Sequence, residues 1–396
     1  MHGHNHPKIN AAISRQLKKI AHSSALGLAN EPASLLARNL VKVANEIYDL
    51  RFTIYDSTRR PSRQSKIVNH KLEKVFFSDD GSTALEVALK LAYEFTRRTR
   101  DKSVGRVSSR AAQPKFLSLE GAYHGDTVGA VSLGHIDLFH KTYGGLLFKT
   151  DKVMSPYCYR CPFNHAKPER DDARNYRKCN WECVGKVEQK FSAQKKKGNP
   201  YAAFVFEPLI QGAAGMIPQP HGWLNRVSEI ARAHDALLIA DEVMTGFGRT
   251  GFAGDDVRSL NSKEKKLESP YVGSYGNNLF ACHRENVQPD FLCLAKGMTG
   301  GYLPMAATLT TQAIFDAFLG EYHEFKTFFH GHSYTGNQLG AAAAAASLEI
   351  LESEDSVHAR QNLEKNLRDE LQSLWSLPNV GDVRQVGLIA GIELVK

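Results

Sequence analysis

No apolar run in this 396-residue chain approaches the roughly 18 residues that a bilayer-spanning helix needs. Its first residues hold no apolar core of the kind a secretory signal carries. On these two absences the chain is expected to be soluble and cytoplasmic. Disulfides are disfavoured in that reducing setting. No RNA- or DNA-binding motif surrounds the basic residues, although the formal net charge is +8. The excess sits in local runs within polar, breaker-rich segments: Arg59-Arg60, Arg97-Arg98 with Arg100, Lys195-Lys196-Lys197, and Lys263 with Lys265-Lys266. These read as solvated loops, and a basic pocket would suit anionic small molecules. Membrane and nucleic acid are thus excluded as expected partners.

The stretch from Ala236 to Lys296 carries the most information. Ala236-Leu237-Leu238-Ile239-Ala240 runs into Asp241-Glu242-Val243, and Pro289-Asp290-Phe291-Leu292-Cys293-Leu294-Ala295 runs into Lys296-Gly297. Continuous rather than alternating apolar character predicts strands of a parallel sheet buried on both faces. Each strand delivers one ionisable residue at its carboxyl end, the edge where open α/β sheets bind ligands. Taken singly, Asp241 reads as a capping acid and Lys296 as a solvated loop lysine. As a buried acid–amine pair they need partners. Pyridoxal phosphate (PLP) offers both, an aldehyde for the amine and a ring nitrogen for the carboxylate. Val243, two residues beyond Asp241 on the same side of the strand, is placed to pack on a ring face. Upstream, the brief strand Lys74-Val75-Phe76-Phe77-Ser78 leads through Asp79-Asp80 to Gly81-Ser82-Thr83 at the start of a helix. Unpaired N–H groups and the helix dipole make such a start an anion site. An ordinary Ser/Thr cap fits the same residues. After the strand Lys115-Phe116-Leu117-Ser118-Leu119 comes Gly121-Ala122-Tyr123-His124-Gly125, where Tyr123 is either a ring-stacking aromatic or a core tyrosine.

Leu238-Ile239-Ala240-Asp241-Glu242-Val243-Met244-Thr245-Gly246-Phe247-Gly248-Arg249-Thr250-Gly251 resembles the signature of the class III aminotransferases of PLP fold type I. Ser78 to Ser82, Gly121 to Thr127 and Phe329 to Asn337 carry a closer likeness, to the diaminopelargonate synthase branch of that family. The resemblance implies a large domain built on a mostly parallel seven-stranded sheet between helices, with a small α+β domain. It implies PLP bound by Gly81, Ser82, Thr83, Tyr123, Gln211, Asp241, Val243, Lys296, His332 and Ser333, with Lys296 as the Schiff-base lysine. It gives Tyr123 the ring-stacking role and a substrate contact, Gly331 a second substrate contact, and His124 a structural role. The acid of Phe206-Glu207-Pro208 is given a supporting role. The loop at Ser333 is implied to cross a homodimer interface to the other subunit's phosphate, so the active sites are shared.

The implied activity is transfer of an amino group to 8-amino-7-oxononanoate, giving 7,8-diaminononanoate in biotin biosynthesis, with S-adenosylmethionine or lysine as donor. A broader ω-amino acid:pyruvate aminotransferase and a truncated, non-catalytic PLP-binding paralogue are the alternatives. The expected organisation is residues 1–45 as an N-terminal helical arm, 46–345 as the PLP-binding domain, and 346–396 as the start of a small C-terminal domain. Polar insertions are expected near 49–71, 97–113, 158–198 and 254–278. Relative to the family, an N-terminal segment and the rest of the small domain lie beyond the chain, which is therefore expected to be either a fragment or a reading whose ends are misplaced. Cys158-Tyr159-Arg160-Cys161 and Cys179-Asn180-Trp181-Glu182-Cys183 have spacings that zinc or an iron–sulfur cluster could use, but no metal is assigned to them.

Overall fold

The computed structural model describes residues 2–25, 27–55, 70–100, 113–166, 174, 177–251 and 279–396. Chain order begins with helices α1 (Pro7–Leu17) and α2 (Glu31–Tyr55), strand β1 (Leu72–Ser78), helix α3 (Gly81–Arg100) and strand β2 (Lys115–Leu119). Short helices α4 (Val128–Leu133) and α5 (Asp137–His140) lead to β3 (Asp151–Val153), α6 (Glu182–Lys196) and β4 (Tyr201–Phe206). A two-residue ladder, β5 (Ile210–Gln211) with β6 (Ile217–Pro218), precedes α7 (Trp223–Ala233) and β7 (Leu237–Asp241). Then come α8 (Ala281–Arg284), β8 (Phe291–Leu294), β9 (Ala306–Thr311), α9 (Gln312–Asp316), α10 (Gln338–Glu352), α11 (Glu354–Gln372) and the strands β10 (Val380–Val386) and β11 (Ile389–Leu394).

Seven strands form one sheet in the order β1-β9-β8-β7-β4-β2-β3. Only the β9 pairings, with β1 and β8, are antiparallel. The doubly buried strands follow from the apolar runs. Leu238 and Ala240 join the core on one face with Trp223, Leu224 and Val227 of α7. Ile239, between them, joins the other face with Leu85, Ala88 and Leu91 of α3. Fully burying such a side chain contributes about 1.5–3 kcal/mol, so both helix layers are held by the same strand. On α2, Leu36, Leu40 and Val43 are buried, whereas Leu35, expected on the same side, is 40% exposed. Small residues let α1 and α10 approach closely, Ile9 and Ala12 against Ala343 and Ala346.

Some expected boundaries shift. The insertions read at 49–71 and 97–113 begin later, because α2 continues to Tyr55 and α3 to Arg100. Their remainders, 56–69 and 101–112, lie outside the described residues, as does the whole of 254–278. The segment read as a polar insertion at 158–198 contains α6, which buries Cys183, Val187 and Phe191 at four-residue spacing. Around the fourth insertion the frame is firm. Gly248 N–H donates to Leu279 O at 2.9 Å. The buried Glu242 carboxylate accepts the N–H groups of Ala281 and Cys282 at 2.7 and 2.8 Å. At the C-terminal end, β10 and β11 pair as an antiparallel hairpin, and Val386 and Ile389 pack on Leu209, Ile210 and Ala281. Among the described residues no helix is long and apolar enough to cross a membrane.

Asp290 ties the middle of the sheet together. Its Oδ2 accepts Leu238 N–H at 2.7 Å and Arg232 Nη1 at 2.6 Å, and its Oδ1 lies 3.1 Å from His70 Nδ1. Burial works to raise its pKa, but Arg232 and His70 together hold it below the ordinary value. A lowered carboxylate contributes stability above its unfolded pKa and loses it as pH falls through the folded value. Asp290→Asn should cost about 3 kcal/mol by denaturant titration at pH 7, and the cost should shrink toward pH 3. A cost independent of pH would contradict this.

Candidate active site

The register Asp241↔Cys293 sets β7 beside β8. Asp241 and Lys296 therefore leave neighbouring strands at the same sheet edge. Lys296 sits at φ +28, a conformation that side chains rarely adopt. Around this edge lies a cavity of about 710 Å³, and Asp241, Val243 and Lys296 all line it. Gly81, Ser82 and Tyr123 line it too. Lys296, expected to be buried, is instead exposed into the cavity, while its neighbours Ala295, Gly297 and Met298 are buried.

The acid is buried, and its partner is His124. Nδ1 of His124 donates to Asp241 Oδ2 at 2.7 Å, and Asp241 Oδ1 accepts Val243 N–H at 3.1 Å. Burial works to lower the pKa of His124, but the hydrogen bond to Asp241 and the charges of Asp241 and Glu207 hold it above the usual imidazole value. The two side chains are thus locked to each other by a short buried hydrogen bond, which fixes the orientation of the carboxylate from behind. Glu207 reaches the same cavity from the end of β4. Burial pushes its pKa up to about 7, with His124 pulling down and Asp241 pushing up. Its oxygens accept Gly212 N–H at 2.8 Å and Tyr123 N–H at 3.4 Å.

The start of α3 is shaped for close approach. A Cβ on Gly81 would meet Val243 Cγ1 at 2.7 Å, and one on Gly125, whose φ is +119, would meet Ser82 Oγ at 2.0 Å. The Gly-Ala-Tyr-His-Gly loop therefore lies directly on the helix N-terminus, and Asp126 N–H donates to Ser82 Oγ at 3.2 Å. Thr83 does not line the cavity. Its hydroxyl accepts Asp80 N–H and donates to Asp80 O, while Asp80 Oδ1 accepts Thr83 N–H at 2.9 Å. That is a helix cap, as the bland reading of the motif had it. Ser82, one residue earlier, faces the cavity.

Tyr123 Oη donates to Asp126 at 2.8 Å, and burial with that bond pushes its pKa up to about 12. Gln211 lies one layer behind the cavity, fully buried, donating to Glu120 O at 3.0 Å. Gly331, His332 and Ser333 do not line this chain's own cavity. His332 Nδ1 stands 3.7 Å from Asp79, and Ser333 O accepts from His22 Nε2 at 3.0 Å. Sequence reasoning left His124 with only a structural role and missed the cavity methionines Met216, Met244 and Met305. The cysteines are free thiols, and among the described residues no cluster of His, Cys, Asp and Glu is arranged to hold a metal ion.

The family model described as aminotransferase class-III matches residues 1–259 and 272–396. This chain belongs to the class III aminotransferases. It is 42% identical over 398 residues to the adenosylmethionine-8-amino-7-oxononanoate aminotransferase of Aquifex aeolicus, covering all of this chain and 72% of that relative. The enzyme of the same name from Geobacter sulfurreducens is 41% identical over 396 residues, with 100% and 72% covered. Among solved structures, that of the Methanocaldococcus jannaschii enzyme of this name superposes with a TM-score of 0.74 at 37% identity, covering 100% of this chain and 72% of that one. An amine transaminase from an uncultivated Pseudomonas species, in a PLP-bound form, gives 0.73 at 29% identity, covering 100% and 74%. The sheet order and these likenesses make this a PLP fold type I chain, and class III membership makes it a PLP-dependent transaminase.

Glu207 gives a pH test. Its raised pKa favours the folded state below the unfolded value of 4.5, and that contribution is lost as pH rises through about 7. Between pH 5 and 8 the melting temperature of the unsubstituted protein should therefore fall relative to Glu207→Gln. Parallel melting curves across that range would refute the assignment.

Proposed function

We propose that this chain transfers an amino group to 8-amino-7-oxononanoate, forming 7,8-diaminononanoate. The observation that carries the reading is identity of 41–42% along the whole chain to enzymes named for that acceptor. Their names also favour S-adenosylmethionine over lysine as donor.

The cavity's residues fit PLP on three counts. A buried carboxylate, Asp241, is presented with its orientation fixed by His124. An amine, Lys296, stands on the same cavity. The close contacts at Gly81 and Gly125 form a cradle at a helix N-terminus that any Cβ would fill. Asp241 would pair with the ring nitrogen, Gly81 and Ser82 would hold the phosphate, Val243 and Tyr123 would flank the ring, and Lys296 would take the aldehyde. Bound there, PLP supplies a carbonyl that condenses with amines and a ring that accepts the electrons left by a departing C–H proton. The Lys296 amine takes that proton at Nζ and returns it, acting as base and then acid. His124, hydrogen-bonded to Asp241 at 2.7 Å, keeps that carboxylate oriented throughout. Glu207, whose pKa burial raises to about 7, lines the same cavity and holds Tyr123 and Gly212 by their N–H groups.

A homodimer completes the site in this reading. Gly331, His332 and Ser333 do not line their own cavity, and His332 reaches only Asp79 at its edge. Large apolar side chains are exposed nearby in sequence, Phe329 at 71%, and on the segment after α4, Leu138 at 85% and Leu146 at 68%. A second copy would cover them. The cytoplasm is the proposed location. A monomer in sedimentation at micromolar concentration would sink the shared-site reading.

Two measurements test the function. The PLP-loaded protein should show the visible absorbance band that PLP gains on joining a lysine amine, and Lys296→Ala should lose it; an unchanged spectrum overturns the lysine assignment. Turnover should be faster with 8-amino-7-oxononanoate than with pyruvate as acceptor, and the reverse preference would favour a broader ω-amino acid aminotransferase.

A further inference from the structure

Three of the protein's six methionines, Met216, Met244 and Met305, line the cavity. Met216 belongs to the turn between β5 and β6, and that turn is held from an unexpected direction. Arg384, on β10, sends Nε to Met216 O at 2.9 Å and Nη2 to Gly215 O at 2.6 Å. The Arg384 side chain is 4% exposed. It is fixed by Asp382 at 3.1 Å and by Glu393 at 3.0 Å, and lies 5.3 Å from the Tyr157 ring centre. Glu393 in turn accepts from Tyr157 Oη at 3.2 Å and pairs with Arg160. The hairpin leaves room for this crossing. Gly391 is the cross-strand partner of Arg384, and a Cβ there would come within 2.9 Å of Met216 Cβ and 3.2 Å of Arg384 Nε.

The turn needs such a clamp. Met216 has φ +54 and Gly215 φ +110. A non-glycine residue in that region is strained and persists only where its surroundings over-determine it. The two carbonyls that Arg384 grips are those of the strained pair, so the guanidinium sets where the Met216 side chain stands. Met244 continues the wall: a Cβ on Gly212, in the same turn, would meet its sulfur at 2.6 Å. Thioethers form an adaptable apolar surface that fits flexible chains.

We propose that Met216 is a specificity-determining residue that receives the methylene chain of the amino-keto acid acceptor, and that Arg384 is the positioning residue that holds it there. This rests on the acceptor reading given above. A planar five-donor fork holds two adjacent carbonyls in a fixed geometry that a lysine's flexible ammonium does not reproduce. Removing apolar contact from a substrate pocket changes discrimination by tenfold or more per methylene equivalent.

Steady-state kinetics of the PLP-loaded protein test the proposal, with 8-amino-7-oxononanoate varied at saturating donor. Met216→Ala should raise KM about tenfold while kcat changes less than about twofold, and Met216→Leu, which keeps the volume, should restore KM. Arg384→Lys should raise KM in the same way, with Met216→Ala adding little on top of it, because both act on one wall. An unchanged KM in Met216→Ala, or a fall in kcat equal to the loss in kcat/KM, overturns the proposal. So does a Met216→Leu variant as impaired as Met216→Ala. No turnover of this acceptor by the unsubstituted protein would refute the acceptor reading itself, and that result differs from active protein with an indifferent Met216.

Discussion

The bridge between His124 and Asp241 is the constraint on which the site depends. A carboxylate at the end of a strand buried on both faces cannot stay charged without a partner. Beside it in the sheet stand Cys293 and, at the end of β4, the acid Glu207, neither of which can neutralise it, so the partner has to come from another segment. His124 arrives from the loop after β2, two strands away in the sheet order. Bringing it within 2.7 Å fixes the loop, and the loop in turn rests its Gly125 on Ser82. One buried pair therefore registers three segments that are distant in sequence: the start of α3, the loop after β2, and the end of β7. The cavity is the space they leave between them and the turn that carries Lys296.

Much of this was legible from residue order alone. The two apolar runs ending in Asp241 and Lys296 specify adjacent parallel strands, because continuous apolar character demands burial on both faces and few folds supply it. The glycines around the runs mark close approach. What the sequence cannot carry is choice of partner. His124 and Asp241 are 117 positions apart; nothing local distinguishes this histidine from one buried for packing. The same holds for Glu207, whose pKa depends on burial that only the assembled sheet provides.

The misplaced details share a cause, competition between local and tertiary effects. Thr83 and Ser82 are chemically alike and adjacent, yet a helix turn sends one hydroxyl back to its own cap and the other toward the loop. Leu35 obeys helical spacing but falls just off the packed side of α2. The segment holding α6 looked like a polar insertion because its charged residues outnumber its apolar ones, although Cys183, Val187 and Phe191 trace a narrow buried stripe. Three residues are enough to dock a helix when the opposite face is fully solvated.

The frame around positions 252–278 carries a practical consequence. Gly248 and Leu279 are joined backbone to backbone, and the Glu242 carboxylate grips the first two residues of α8. Both attachment points are thus anchored independently of whatever polypeptide joins them, and the entropy of closing a loop grows only slowly with its length. That geometry suits the place to grafting: a reporter domain or an affinity handle spliced there would hang from two rigid posts and leave the catalytic edge of the sheet undisturbed.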